Sequence, residues 1–287
     1  MEWADYMFTD EMSIEVGAVF GKSLVWREKG EKWHNDCVGT KKKNGTSVMC
    51  WGAISWGWKG PFFLWPATTK EEKQKAKEEI EEMNREMAGE TERLNAAWKL
   101  SEEWRNLREL ELRVAADRRA VGRAEGKKVK TVQSFRGKKY TFRPLKVGEG
   151  KGVDSWRYVN HLCKPILWPA CTERMAGLPN FRLMEDNAPS HSSDFTNTAR
   201  EQLGIPKVDW PANSPDLNPI EHIWRLMKSR ILRRRGAEKI TTPLQMREVL
   251  VEEWEKITIE DINNEISKLP MIMGRCMLQD GGNKFEA

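Results

Sequence analysis

The sequence predicts an α/β fold. It consists of a mixed sheet, an antiparallel three-strand meander plus two parallel strands, flanked by helices and carrying an inserted, charged helical hairpin. Three observations predict it. Up to Trp65, short β-rich runs are separated by turn residues. After Val153, helical and extended segments alternate, which adds strands in parallel. Between them lies a densely charged stretch with helical periodicity. The expected division is therefore 1–68 and 153–287 as two parts of one domain, with 69–152 inserted.

Tyr6-Met7-Phe8-Thr9 reads as a first strand that stops at Asp10-Glu11. Val16 to Trp26 is β-compatible and ends at the turn Arg27-Glu28-Lys29-Gly30. Ser47 to Ser55 is the third strand, and Pro61 to Trp65 a short edge piece. Thr69-Lys70-Glu71-Glu72 has the form of a capping box, in which side chains satisfy the first free N–H groups of a helix. The helix carries Ala76, Ile80, Met83 and Met87, breaks and recaps at Gly89 and Thr91, and continues through Leu94, Trp98, Trp104, Leu107 and Val114.

Beyond Gly148 to Gly152, Asp154 or Ser155 caps a helix with Trp156, Val159, Leu162 and Ile166 as its buried stripe. Phe181 to Met184 is a strand that delivers Glu185 and Asp186. Serines 190, 192 and 193 offer caps for a helix closed by Gly204, and Val208 to Trp210 is a last short strand. Asn218, Pro219 and Glu221 mark the start of a long helix, as cap, first residue and first-turn acid. After Thr242-Pro243 another helix, with Met246, Val249, Leu250 and Trp254, covers the sheet.

With 287 residues and 39% hydrophobic content, the chain can bury one good core or a core plus an appended element. No run approaches the ~20 apolar residues that span a bilayer, and the N-terminus lacks the order of a signal peptide, so an intracellular protein without a membrane partner is expected. Five scattered cysteines fit reduced thiols, and their spacing does not suit a zinc site.

The net charge of +5 is mild, but its distribution is uneven. Lys127 to Lys146 contains eight basic residues and no acid, interleaved with Phe135, Tyr140 and Phe142. A second basic cluster runs from Arg225 to Arg235. Both suit contacts to nucleic-acid phosphates, and a solvated face is the alternative. The residues expected to touch DNA are Lys127, Lys128, Lys130, Arg136, Lys138, Lys139, Arg143, Arg225 and Lys228. The stretch from Lys70 to Glu125 is nearly neutral, with 15 acidic and 13 basic residues, and reads as a structural insertion or as a dimerising hairpin.

Three acids stand at the edges of regular elements, where a carboxylate is held stiffly: Asp10, Asp186 and Glu221. Together they suggest a divalent-metal phosphoryl-transfer site. Taken alone, Glu221 could be only a capping acid, while the helix dipole would also keep it ionised for metal binding. Glu11 and Glu185 adjoin these acids but face the other side of their strands, so they are left out of the site.

In these contexts the chain resembles the catalytic domain of DDE-superfamily transposases of the mariner type. The motifs are Phe8-Thr9-Asp10-Glu11, Cys50-Trp51-Gly52-Ala53-Ile54, Glu185-Asp186-Asn187-Ala188-Pro189-Ser190-His191 and Ser214 to Glu221. The 34 residues between Asp186 and Glu221 match a spacing of that family. The resemblance implies a ribonuclease H-like fold, with Asp10, Asp186 and Glu221 as catalytic residues holding two ions, Mg²⁺ or Mn²⁺. It also implies DNA cleavage and strand transfer in transposition, and a location in the nucleus. Asn187 and His191 follow Asp186 in the family string. For His191 a loop-fixing role is preferred, with substrate contact or an outer role around the metal as the alternatives. The family's N-terminal helix-turn-helix is not seen ahead of the first strand, so sequence-specific docking is expected to be missing; a truncated copy, an incomplete gene model and a domain working with a separate DNA-binding subunit all fit, and the inserted hairpin could make a homodimer. The alternative is a catalytically silent DNA-binding remnant.

Overall fold

A computed structural model of the chain describes residues 3–17, 46–67, 69–126, 139–146, 148, 152–212, 214–235 and 240–279. The chain divides into two compact units, one comprising Met1–Ala67 with Val153–Ala287 and the other Thr68–Gly152. Among the described residues no helix is long and apolar enough to cross a membrane.

Among the described residues the first unit is built on four strands, β1 (Tyr6–Glu15), β2 (Ser47–Ser55), β3 (Trp58–Leu64) and β4 (Arg182–Met184), in the order β3-β2-β1-β4. The first three form an antiparallel meander, and β4 adds in parallel to β1. β1 does not stop at Asp10-Glu11. It pairs with β2 from Met7↔Ser55 to Glu15↔Ser47, and its alternation continues through buried Met12 and Ile14. Ladder pairing overrides the poor β-propensity of the two acids. The expected strand from Val16 to Trp26 lies outside the described residues except for a bend at Val16-Gly17. The third strand of the meander is instead the edge piece, lengthened to begin at Trp58. Its hairpin is the two-residue turn Trp56-Gly57, where Gly57 at φ 67° supplies the backbone a tight turn needs. The second parallel strand is reduced to a single bridge, Leu183↔Lys207.

Strand alternation sends side chains to two cores. Phe8, Met12, Ile14, Cys50 and Ile54 face one, and Met7, Trp51, Ala53 and Leu183 face the other. Four cysteines, Cys50, Cys163, Cys171 and Cys276, are free thiols, and burial pushes the first three far up from the usual thiol range.

The second core is roofed by α3, which winds as α over Ser155–Arg157, as π over Tyr158–Leu167 and as α again over Trp168–Gly177. Asp154 caps it, accepting from Arg157 N–H at 2.8 Å. The π segment contains Pro165, which lacks an N–H for the ladder. The wider winding shifts the buried stripe to Tyr158, Val159, Leu162, Cys163 and Leu167 and leaves Trp156 and Ile166 half-buried.

Two short helices follow, α4 (Pro189–Ser192) and α5 (Asp194–Glu201). Ser193 caps α5, and Gly204 turns the chain at φ 66°. The first core is covered by α6 (Pro219–Arg235), α7 (Pro243–Glu255), α8 (Ile259–Ser267) and α9 (Leu269–Leu278). The last two helices were not foreseen. Thr242 and Gln245 form the capping box of α7. At its other end Lys59 Nζ donates to the carbonyls of Trp254 (3.4 Å), Glu255 (3.1 Å) and Ile257 (3.1 Å), satisfying oxygens that a helix end leaves open.

In the second unit α1 (Lys70–Lys99) opens with the expected capping box of Thr69 and Glu72. It runs unbroken through Gly89, where an added side chain would meet open space, so the residue costs only its propensity of about 1 kcal/mol. The break falls at Leu100, and Ser101 caps α2 (Glu102–Ala124) by accepting from Trp104 N–H. Two asparagines of α1 then grip a passing segment through both amide atoms. Asn95 exchanges hydrogen bonds with Tyr140 N–H (3.1 Å) and C=O (2.8 Å), and Asn84 with those of Leu145 (2.9 Å each).

Candidate active site

β4 ends at Met184, opposite Phe8, so among the described residues β1 has an open edge from Thr9 onward. A cleft of about 350 Å³ occupies that opening, and Asp10, Asp186, Glu221 and Asn218 are among its walls. Asp10 projects to the face of Phe8 and Met12, toward α6. Asp186 follows the end of β4, and Glu221 lies in the first turn of α6. The structure thus brings the three sequence-predicted acids together from three separate elements.

Asp10 is held from two sides. Trp224 Nε1–H of α6 donates to its Oδ2 at 3.2 Å. Across the ladder its partner is Gly52, whose missing side chain leaves room for the Trp224 ring. Burial pushes the Asp10 carboxyl up from 3.8 to about 8, and the charges of Glu221, Glu11 and Asp186 push the same way.

Asn218 does not cap α6 with its side chain. Its Nδ2–H donates to Thr9 C=O at 3.3 Å, drawn by the open edge of β1, and the helix begins with the backbone bond from Glu221 N–H to Asn218 C=O at 3.1 Å. Asn218 Oδ1 is buried without a hydrogen-bond partner.

Asp186 Oδ1 accepts from Ala188 N–H at 2.9 Å and contacts His191 Nδ1 at 2.5 Å, which turns that oxygen away from other partners. The bond from His191 is the main reason its carboxyl lies below the usual range. His191, 3% exposed, reaches around the sheet edge to Glu11 Oε1 at 3.3 Å through Nε2. Burial opposes its imidazolium, but the Glu11 charge and the bonds to Asp186 and Glu11 outweigh that and hold its pKa well above the ordinary value. Asn187 Nδ2–H donates to Trp210 C=O at 2.7 Å and pins the loop after β4.

Sequence reasoning set Glu11 and Glu185 aside because they face the opposite side of the strands. The strand parity agrees, yet both connect to the site. Glu185, 2% exposed, accepts from the Tyr158 hydroxyl and pairs with Lys207 at 3.4 Å. One signal was available: an acid in so apolar a context needs a buried partner.

Of the residues expected to touch DNA, Lys127, Lys128, Lys130, Arg136 and Lys138 lie outside the described residues. Lys139 is ion-paired to Glu103 at 2.5 Å, and Arg143 is exposed on the gripped segment of the second unit. Arg225 is exposed and Lys228 half-buried on α6. Three later arginines of that helix bond to the body of the protein, Arg230 to Lys256 C=O, Arg234 to Glu252 and Glu253, and Arg235 to Glu15 C=O, whereas Arg233 is exposed and bonds Ser229 of its own helix.

The donor set suits a hard divalent cation. It consists of carboxylates, one of them with its pKa raised by burial and by its neighbours' negative charge, beside an orphaned amide oxygen. Among the described residues no three His, Cys, Asp or Glu side chains stand close enough to grip one ion, so binding requires the carboxylates to draw in.

Residues 115–242 match the family described as DDE superfamily endonuclease, a span that includes Asp186 and Glu221 but not Asp10. The Tc1 transposase of Caenorhabditis elegans is 31% identical over 90 residues, 31% of this chain and 32% of the relative. The match thus spans about a third of that relative's length. The Mos1 mariner paired end complex with Mn superposes with a TM-score of 0.54 at 14% identity, over 98% of this chain and 57% of that one. The Mos1 transposase catalytic domain solved with Raltegravir and Mg gives 0.51 at 14% identity, over 98% and 85%. At such identity the superpositions speak for the fold, which is ribonuclease H-like. The chain is thus similar to DDE superfamily endonucleases over residues 115–242 and to a Tc1 transposase over 90 residues, and in fold to the Mos1 mariner transposase structures.

Proposed function

We propose that the chain acts as a transposase-type DNA endonuclease and strand transferase in which Asp10, Asp186 and Glu221 hold two divalent ions, Mg²⁺ or Mn²⁺. The observation that carries this reading is the convergence of the three carboxylates on one cleft. Bound there, the ions would activate the attacking water or 3′-hydroxyl and offset charge on the leaving oxygen. The chain's own contribution is placement. Trp224 fixes Asp10 through Oδ2, His191 and Ala188 fix Asp186 through Oδ1 and leave Oδ2 for the cleft, and the first turn of α6 carries Glu221. Arg225 follows Glu221 on that helix and would meet backbone phosphate with Lys228, while Lys139, Arg143 and the basic run before them add contacts without sequence preference. The resemblance supports action in the nucleus, and the narrow apolar stripes of the inserted hairpin support a homodimer.

The test is cleavage of DNA bearing matching terminal repeats in Mg²⁺ or Mn²⁺, with Asp186→Ala as control. Metal-dependent nicking that is lost in the variant is expected, and equal nicking by the variant would sink the site assignment. A second reading, a DNA-binding remnant without catalysis, is favoured by one observation: the carboxylates as they stand do not form a three-residue grip. Tight DNA binding with no metal-dependent cleavage would select it.

A further inference from the structure

Behind Asp186 lies a buried polar layer that the proposed chemistry does not use. Glu185 is 2% exposed, and removing a carboxylate from water costs several kcal/mol unless it is paired and hydrogen-bonded. It has both kinds of partner. The Tyr158 hydroxyl, from the π segment of α3, donates to Oε1, and Lys207 Nζ lies 3.4 Å from Oε2. Tyr158 is fully buried, and burial together with the Glu185 charge raises its pKa well above the ordinary value, so its hydroxyl keeps its proton.

The layer does not end at Glu185. The Tyr158 ring packs on the His191 imidazole with centroids 4.3 Å apart and planes tilted by 39°. Lys207 Nζ also donates to His191 C=O at 3.4 Å. His191 is therefore clamped on its face by Tyr158, at its backbone by Lys207 and at Nε2 by Glu11. Only Nδ1 is left, and it meets Asp186 Oδ1. A carboxylate has two equivalent oxygens and a torsion that rotates readily. Engaging Oδ1 from a fixed ring selects Oδ2 as the oxygen turned to the cleft.

We infer that Tyr158, Glu185 and Lys207 are positioning residues for Asp186. The Tyr158–Glu185 bond sets the plane of the tyrosine ring, that ring sets the plane of His191, and His191 sets the rotamer of the carboxylate. The inference rests on the proposed role of Asp186. It extends that role to residues on the far side of the sheet, where strand parity alone would give them only packing duty. Outer partners of this kind typically alter metal affinity by 10–100-fold when removed.

The experiment titrates the full-length chain with Mn²⁺ alone, without DNA, and counts free ion by electron paramagnetic resonance; plasmid nicking is run in parallel. Tyr158→Phe removes only the hydroxyl and keeps the ring. It should raise the Mn²⁺ dissociation constant by about 10-fold. Glu185→Gln should move it in the same direction and guards against one variant failing to fold. Lys59→Met, which loosens α7 far from this layer, should unfold more easily yet bind Mn²⁺ as wild type. Wild-type Mn²⁺ affinity in both Tyr158→Phe and Glu185→Gln, beside its loss in Asp186→Asn, would overturn the positioning role and leave the site assignment standing. Unchanged Mn²⁺ binding and nicking in Asp186→Asn would instead remove the assignment beneath it.

Discussion

Replacing Gly52 with alanine would set a methyl group 2.8 Å from Cη2 of Trp224 and 3.0 Å and 3.2 Å from Cη2 and Cζ3 of Trp254. Neither ring can yield cheaply. Both are buried, at 1% and 2% exposure, and they pack on each other with centroids 5.6 Å apart. Gly52 has no positive φ, so the requirement is for space rather than backbone freedom. Overpacking of this kind costs about 1–3 kcal/mol, which for a unit of this size lowers Tm by roughly 2–4 °C per kcal/mol. The strain also has a direction, because the displaced Trp224 carries the N–H bonded to Asp10 Oδ2. Thermal unfolding and Mn²⁺ titration should therefore both shift in Gly52→Ala. A double-mutant cycle with Trp224→Phe isolates the cause: the smaller ring makes room, and a coupling of about 0.5–3 kcal/mol is expected. Wild-type stability in Gly52→Ala, or strictly additive effects in the cycle, would refute the steric argument.

Lys59→Met deletes three bonds from a charged donor to the end of α7, and a loss of about 1–3 kcal/mol is expected by urea unfolding; an unchanged midpoint would show the cap to be idle. Asp10 titrates at about 8 in the folded chain against 3.8 in the unfolded one. The folded state binds the extra proton between those values, so this stabilising contribution is complete below about pH 4 and is lost as pH rises through about 8. The slope reaches about 1.4 kcal/mol per pH unit without metal. Asp10→Asn should flatten the profile, and equal profiles would remove Asp10 as its source. Asn95→Ala leaves the backbone of Tyr140 without its partner, so faster amide exchange across 139–146 is expected; Asn84→Ala should act at Leu145. Unaltered exchange in both variants would show that the segment is held by other means.

Local signals were legible in the sequence. The capping box at Thr69, the caps at Asp154 and Ser193 and the turn at Gly204 each depend on residues a few positions apart. Gly89 and Asp10-Glu11 misled because propensity is a weak term that helix continuation and ladder pairing overrode. The acids themselves could be named from their motifs, and strand parity correctly separated Asp10 from Glu11.

The sequence by itself determined the α/β class and pointed to a charged insertion and to three candidate carboxylates, since these follow from composition, periodicity and short motifs. Tertiary structure decided what surrounds them. Trp224 meets Asp10 across 214 positions and His191 meets Glu11 across 180. It also turned Asn218 from a cap into a tie to β1, and set Arg234 and Arg235 of α6 to partners elsewhere in the protein. The physical reason is range. Backbone propensity and capping act within a turn or two of chain, while the partner of a buried polar side chain is whatever the packed sheet and helices bring within 3 Å.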